Sequence, residues 1–169
     1  IGDPWPDFVY GLSLGATWKG FDFNVFFQGS QGNDVLNMTL RDFESGTGTM
    51  NAREGFLNRA WNGEGSTDKY HRISAEQGQN SEISDYFVED GSYLRLKNLQ
   101  LGYNFCERLL KIKGISYLRL YVSAQNLFTL TKYSGLDPEI GSSNATLNGI
   151  DQGFYPQARI WTVGLNIKF

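Results

Sequence analysis

In the decapeptide Ile160-Trp-Thr-Val-Gly-Leu-Asn-Ile-Lys-Phe169, apolar side chains recur at every second position. Phe169, Ile167, Leu165, Val163 and Trp161 share one side of an extended strand. Lys168, Asn166, Gly164 and Thr162 share the other with one apolar residue, Ile160. Such a strand has a dry side and a wet side, and aromatics close both ends of the dry one. The span from Trp161 to Phe169 is roughly 26 Å of strand. At the tilt of barrel strands that becomes about 20 Å of height, close to the apolar band of an outer-membrane barrel. The pattern therefore predicts a bacterial β-barrel, with the last strand of a soluble β-sandwich as the alternative.

The alternation recurs upstream. From Phe8 to Trp18 the dry set is Phe8, Tyr10, Leu12, Leu14, Ala16 and Trp18. Lys19-Gly20 then makes a two-residue hairpin connection, since Gly readily supplies a positive φ. Phe21, Phe23, Val25 and Phe27 resume the dry face. A third strand, Tyr93 to Phe105, sets Leu99, Leu101, Tyr103 and Phe105 against Asn98, Gln100, Gly102 and Asn104. Upstream its pattern inverts, because Leu94 and Leu96 share parity with Asn98. Either a bulge lies near Lys97-Asn98, or the strand rises past the bilayer and Arg95 and Lys97 reach headgroups. The second needs no extra device and is the expectation. The fourth strand sets Leu118, Leu120, Val122 and Ala124 against Tyr117, Arg119, Tyr121, Ser123 and Gln125. Arg119 facing mid-membrane lipid would cost about 2–4 kcal/mol, and on this parity it faces the lumen.

The reading is thus all-β, one unit over residues 1–169, with antiparallel strands at about 7–18, 20–30, 86–105, 115–129 and 158–169. Long loops fall at about 31–85 and 130–157. Loops of this length are uncommon in compact soluble domains. Alternating short turns and long loops is the habit of outer-membrane barrels, with the turns periplasmic. If Phe169 ends in the periplasm, Trp18, Phe21, Tyr103, Phe105 and Phe169 gather at one rim as an aromatic girdle. Five strands cannot close, and open edges in lipid find no water to satisfy them. The missing strands are expected from sequence beyond this chain, which opens on Ile1-Gly-Asp-Pro without a signal peptide. Within the first long loop, Phe56 with Ala60 and Leu57 with Trp61 stand at helical spacing, and Asn62-Gly63 is a stop. A short helix over the barrel mouth is expected there.

Composition narrows the chemistry. Fifteen basic and eighteen acidic residues, with no basic block, speak against a nucleic-acid partner. A single cysteine, Cys106, precludes an internal disulfide and reads as an unpaired turn residue. His71, the only histidine, has no second histidine for a metal site and reads as an exposed loop residue. Asp137-Pro138-Glu139 and Asp151 lack the further oxygen ligands of a calcium loop, so Asp137-Pro138 is expected as a turn. Glu89 and Asp90 point to opposite faces, which argues against an acid/base pair and for an Asp90-Gly91 turn entering the third strand. The glycine-rich stretch Gly29–Gly32 lacks the Lys of a phosphate loop. No catalytic constellation, metal site or cofactor site is expected. Phe43, Trp61, Tyr70, Tyr133 and Tyr155 lie in the predicted extracellular loops, where aromatics stack on sugar rings or pack on a partner. Packing within the loops is the favoured competing role. Tyr117, Arg119, Tyr121 and Gln125 would line a path through the barrel or touch whatever fills it.

Several strings resemble one family. They are Pro6-Asp-Phe-Val-Tyr-Gly11 leading to Gly20-Phe-Asp-Phe, then Phe27-Gln-Gly-Ser-Gln-Gly-Asn-Asp34 and Glu89-Asp-Gly-Ser-Tyr-Leu-Arg-Leu-Lys-Asn-Leu-Gln-Leu-Gly-Tyr103. Leu118-Arg-Leu-Tyr-Val-Ser-Ala-Gln-Asn-Leu-Phe128, Thr131-Lys-Tyr-Ser-Gly-Leu-Asp-Pro-Glu139, Gly149-Ile-Asp151 and Tyr155-Pro-Gln-Ala-Arg159 continue the series into the terminal strand. Together they resemble the late-barrel region of SusC/RagA-type TonB-dependent transporters, in order and over nearly the whole chain. The resemblance implies the last five strands of a 22-stranded transmembrane barrel in the outer membrane of a gram-negative bacterium. It also implies a plug and a TonB-contacting segment outside these residues, and insertion by the barrel-assembly machinery. A SusD-like lipoprotein lid and an imported oligosaccharide or peptide complete the expectation. On that reading Trp161, Val163, Leu165, Ile167 and Phe169 face lipid, while Trp61, Tyr70, Tyr133 and Tyr155 are candidates for ligand or lid contact. No enzymatic activity is implied. The alternative from another class is a soluble all-β carbohydrate-binding module using the same loop aromatics.

Overall fold

The computed structural model describes residues 1–44, 51–74, 79–105, 114–141 and 145–169. Cys106 and its predicted turn lie outside the described residues. In chain order the elements are β1 (Phe8–Trp18), β2 (Phe21–Gln31), β3 (Asp34–Asn37), α1 (Met38–Glu44), α2 (Phe56–Arg59), β4 (Val88–Asp90), β5 (Tyr93–Phe105), β6 (Tyr117–Gln125), β7 (Thr129–Thr131), β8 (Ile150–Asp151) and β9 (Ile160–Lys168). They form two compact units. One holds residues 6–32, 92–132 and 156–169, and the other holds 1–5, 33–91 and 133–155.

The first unit is an antiparallel sheet in the order β1-β2-β5-β6-β9, with β7 also paired to β5. Lys19 and Gly20 both take positive φ, 48° and 91°. That is the combination a tight two-residue hairpin needs to match strand twist. Cross-strand register puts Leu14 beside Val25, Val25 beside Leu99, Leu99 beside Ala124 and Ala124 beside Trp161. The apolar parities of all five long strands therefore coincide on one face. At one end of that face, the Phe21 and Tyr103 rings lie 4.6 Å apart, with Phe105 edge-on to Tyr103 at 4.9 Å.

The inversion in β5 is a bulge, contrary to the expectation of a strand rising to headgroups. Phe26 pairs with Asn98 and Phe27 with Leu96, so Lys97 is the extra residue of β5. One extra residue flips the parity upstream, returning Leu94 and Leu96 to the side of Leu99 and Leu101. Arg95 goes to the opposite face, where it is buried and its Nε donates to Thr129 Oγ1 at 2.8 Å. The neighbouring strand adjusts at the same level. Asn126 has φ of 51°, between the ends of β6 and β7.

The second unit is built differently. A small sheet runs β4-β3-β8, with β3 antiparallel to β4 and parallel to β8. Its apolar core contains Val35, Phe56, Ala60, Phe87 and Tyr133. The helical spacing of the first loop yields only one turn, α2, which buries Phe56 and Ala60 but leaves Leu57 and Trp61 exposed. Helix α1 and the small sheet carry no comparable periodicity, since their runs are too short to display one. Residues 86–87 belong to a 3-10 turn and 88–90 to β4, so the long third strand begins at Tyr93 rather than near residue 86. Glu89 and Asp90 accordingly sit in a strand, where Asp90 pairs with Asp34, and not in the expected turn.

Candidate functional site

The dry face of the five-stranded sheet has no covering layer within its unit. Trp161, Val163 and Leu165 are 65%, 73% and 55% exposed, and Leu12, Leu14, Phe23, Leu101, Leu120 and Ile167 are also exposed. Phe169, one residue past β9, is exposed as well. Burying a Leu, Val or Phe side chain is worth about 1.5–3 kcal/mol. A contiguous field of unburied ones marks an interaction surface, for a membrane or for another protein layer.

The other face concentrates polarity. Asp22 of β2 and Arg119 of β6 form a two-point ion pair across β5, with Nε to Oδ2 at 2.9 Å and Nη2 to Oδ1 at 2.5 Å. Gly102 lies between them in register, opposite Asp22 on one side and Tyr121 on the other. A Cβ at Gly102 would meet Asp22 Oδ2 at 2.5 Å and Arg119 Nη2 at 2.7 Å, so only glycine leaves room for the pair. Asn104 Nδ2 donates to Asp22 Oδ2 at 3.0 Å, and Tyr117 hydroxyl donates to Asn104 Oδ1 at 2.5 Å. The Arg119 guanidinium lies 4.9 Å from the Tyr121 ring centre. Two-point carboxylate–guanidinium pairs are among the strongest charge-assisted hydrogen bonds. The parity of Arg119 foretold its face, but nothing in the sequence foretold Asp22, 97 positions away, as its partner.

In the second unit, polar side chains serve the packing. Asp137 Oδ1 accepts from the Glu139 amide at 2.9 Å, the turn expected at Asp137-Pro138. Asp151 Oδ1 accepts from the Gly153 and Phe154 amides at 2.8 and 3.1 Å, and its Oδ2 accepts from the Tyr133 hydroxyl at 2.5 Å. Burial first, and the Asp151 carboxylate second, hold the Tyr133 hydroxyl well above the ordinary tyrosine range. Tyr133 is only 6% exposed, so it packs the loops rather than lying open to a ligand. Tyr155 is the opposite case at 90% exposed. Trp61 is partly exposed, and Tyr70 is half-buried with its hydroxyl accepting from Arg59 Nη1 at 3.2 Å. His71 is half-buried rather than exposed. Its ring lies 5.4 Å from Phe56 and 5.6 Å from Tyr86. Tyr86 in turn donates to Glu44 Oε2 at 2.8 Å. Burial, then Glu44, raises that hydroxyl too. Among the described residues, no group of three or more His, Cys, Asp or Glu side chains could hold a metal ion.

A cavity of about 490 Å³ opens in this unit, lined by Leu40 and Phe43 of α1, Arg53, Ser134 and Leu136 among others. Its lining is mostly carbon. Sequence reasoning singled out Phe43 alone of these, because α1 was not foreseen.

No family model matches the chain. The chain is similar over its whole length to TonB-dependent receptor P3 of Formosa agariphila, at 43% identity, covering 17% of that protein. It is similar to TonB-dependent receptor SusC of Bacteroides thetaiotaomicron at 35% identity, covering 98% of this chain and 15% of that one. Among solved structures, chains of the RagAB peptide importer in its closed-closed and open-open states superpose with TM-scores of 0.81 and 0.83. Those chains share 31% and 30% identity with this one, matching 98% of it and 18% and 17% of themselves. The chain spans less than a fifth of the length of the curated relatives it matches.

Proposed function

We propose that this chain, a barrel segment of SusC/RagA-type TonB-dependent receptor, forms part of the wall of an outer-membrane nutrient importer. The supporting observation is the shared apolar face of five registered strands, backed by a polar opposite face that carries a satisfied ion pair. A soluble binding module would cover such a face with a second sheet. In a barrel the face meets lipid, with Trp161, Val163, Leu165, Ile167 and Phe169 contributing one strand's share. Strands β1 and β9 are the edges of the sheet, and in lipid each needs a hydrogen-bonding neighbour. We assign those neighbours to the rest of a 22-stranded wall, whose plug and TonB-contacting segment complete the energised cycle. The second unit, made of the long loops, then lies outside the cell. A SusD-like lipoprotein is the expected partner there, and an oligosaccharide or peptide the cargo. The protein works in a gram-negative outer membrane, where the barrel-assembly machinery inserts it, and does no bond-breaking chemistry.

The test is a pair of substitutions in the full-length receptor. Leu165→Arg puts a charge on the lipid side at a cost of about 2–4 kcal/mol near the midplane, whereas Asn166→Arg points it to the lumen. Heat-modifiable, outer-membrane-inserted protein should fall sharply for the first and stay near the parent for the second. Equal yields would overturn the barrel assignment.

A further inference from the structure

We propose that the cavity in the loop unit is a binding site for the apolar C-terminal side chain of a peptide, with the peptide's carboxylate directed to Arg53. The inference rests on the importer reading and chooses between its two cargo classes.

The cavity holds about 490 Å³, within the range of sites for small ligands. Leu40 and Phe43, one turn of α1 apart, line it together with Leu136. Phe43 and Leu136 are 46% and 67% exposed, so both side chains are open to an incoming group.

The neutral polar side chains of the described lining, Asn37, Thr39 and Ser134, already donate within the protein. Asn37 Nδ2 donates to Glu89 Oε1 at 2.9 Å and to Ser134 Oγ at 3.5 Å, and its Oδ1 accepts from Thr39 Oγ1 and the Leu40 amide at 2.6 and 2.8 Å. Those contacts exhaust the capacity of an amide side chain. The Ser134 hydroxyl proton goes to Glu89 Oε1 at 2.8 Å. A sugar ring entering this space would lose water from its hydroxyls and find few donors in return. A hydrocarbon side chain loses nothing comparable.

Arg53 supplies the one cationic group of the described lining. Its side chain is 47% exposed and, among the described residues, meets Glu44 at a long 3.4 Å, while Glu44 also accepts from Tyr86. A guanidinium has five N–H donors in a planar fork suited to a carboxylate. Glu44 is buried, at 3% exposure, so the open side of the pair that a ligand meets is the cation.

The experiment uses the full-length receptor, purified in detergent. Calorimetric titration is run with three probes: a synthetic hexapeptide ending in leucine with a free C-terminal carboxylate, its C-terminal amide, and a neutral linear oligosaccharide of similar length. The free-acid peptide should bind, the amide should bind several-fold more weakly, and the oligosaccharide should give no heat at this site. Phe43→Ala and Leu136→Asp should each weaken the free acid about tenfold or more, roughly the worth of one apolar side chain. Arg53→Gln should weaken the free acid several-fold and leave the amide unchanged. That contrast separates a carboxylate contact from a folding defect, because a misfolded loop would lose both peptides. Leu136 is already exposed, so its variant leaves the core intact. Oligosaccharide binding abolished by Leu136→Asp, or peptide binding indifferent to all three variants, would overturn the proposal. Either result in a receptor that still inserts normally leaves the importer reading standing, whereas failure of that reading shows in the Leu165 and Asn166 yields.

Discussion

The two units of this chain solve opposite solvent problems. In the loop unit a carbon core is sealed: Val35, Phe56 and Phe87 are each at most 1% exposed. In the sheet unit the arrangement is inverted. Leu12, Leu14, Phe23, Leu165 and their neighbours are exposed, while Asp22 and Arg119 are nearly covered. A backbone ladder holds both, but the side chains declare different surroundings. The lesson is that hydrophobic content says little here. At 40% hydrophobic residues the chain matches a soluble globule in composition, and it is the phase of those residues along each strand that gathers them on one exposed face.

That contrast can be broken at several points. The largest effect should come from Leu165→Arg, described above, which imposes the loop unit's polarity on the sheet's outer face. Next is the polar face. Removing one partner of a covered ion pair leaves the other unpaired, so Asp22→Ala should cost about 1–3 kcal/mol in denaturant unfolding of the full-length receptor. The double variant Asp22→Leu with Arg119→Met should lose less than the sum of the single changes. Strict additivity in that cycle would mean the pair contributes nothing. A smaller change is expected in the loops. Tyr133→Phe deletes the hydroxyl that Asp151 accepts from, and should cost about 1 kcal/mol. It should be visible as faster amide exchange over residues 133–155 with unchanged exchange in β9. The smallest concerns pH. The Tyr86 and Tyr133 hydroxyls are raised in the folded chain, so above the ordinary tyrosine value of about 10 the unfolded chain releases protons that the folded one keeps. Their contribution is fully present below that value and is lost as pH rises beyond it. Amide protection in the loop unit, with base-catalysed exchange corrected for, should therefore fall above about pH 10 before that of the sheet. Replacing both residues by phenylalanine should remove that pH dependence.

How much was legible beforehand follows from repeat length. The five long strands each offer several turns of a two-residue period, so the faces and the Lys19-Gly20 hairpin could be read directly. The parity of Arg119 was legible for the same reason. The bulge at Lys97 left a trace, the inverted parity of Leu94 and Leu96, which is also the trace a strand leaving the membrane would make. The short strands β3, β4 and β8, of two to four residues, contain too few periods to register. With them went the role of Glu89, which accepts from Asn37 and Ser134, and the cavity beside α1.

The sequence by itself determined which residues share a sheet face, because a strand's side chains alternate whatever its neighbours are. Tertiary structure alone decided which strands meet, that Asp22 and Arg119 pair over Gly102, and that Tyr133 closes on Asp151. Those partners lie far apart along the chain, and no local period encodes a contact whose energy appears only once the backbone has brought both ends together.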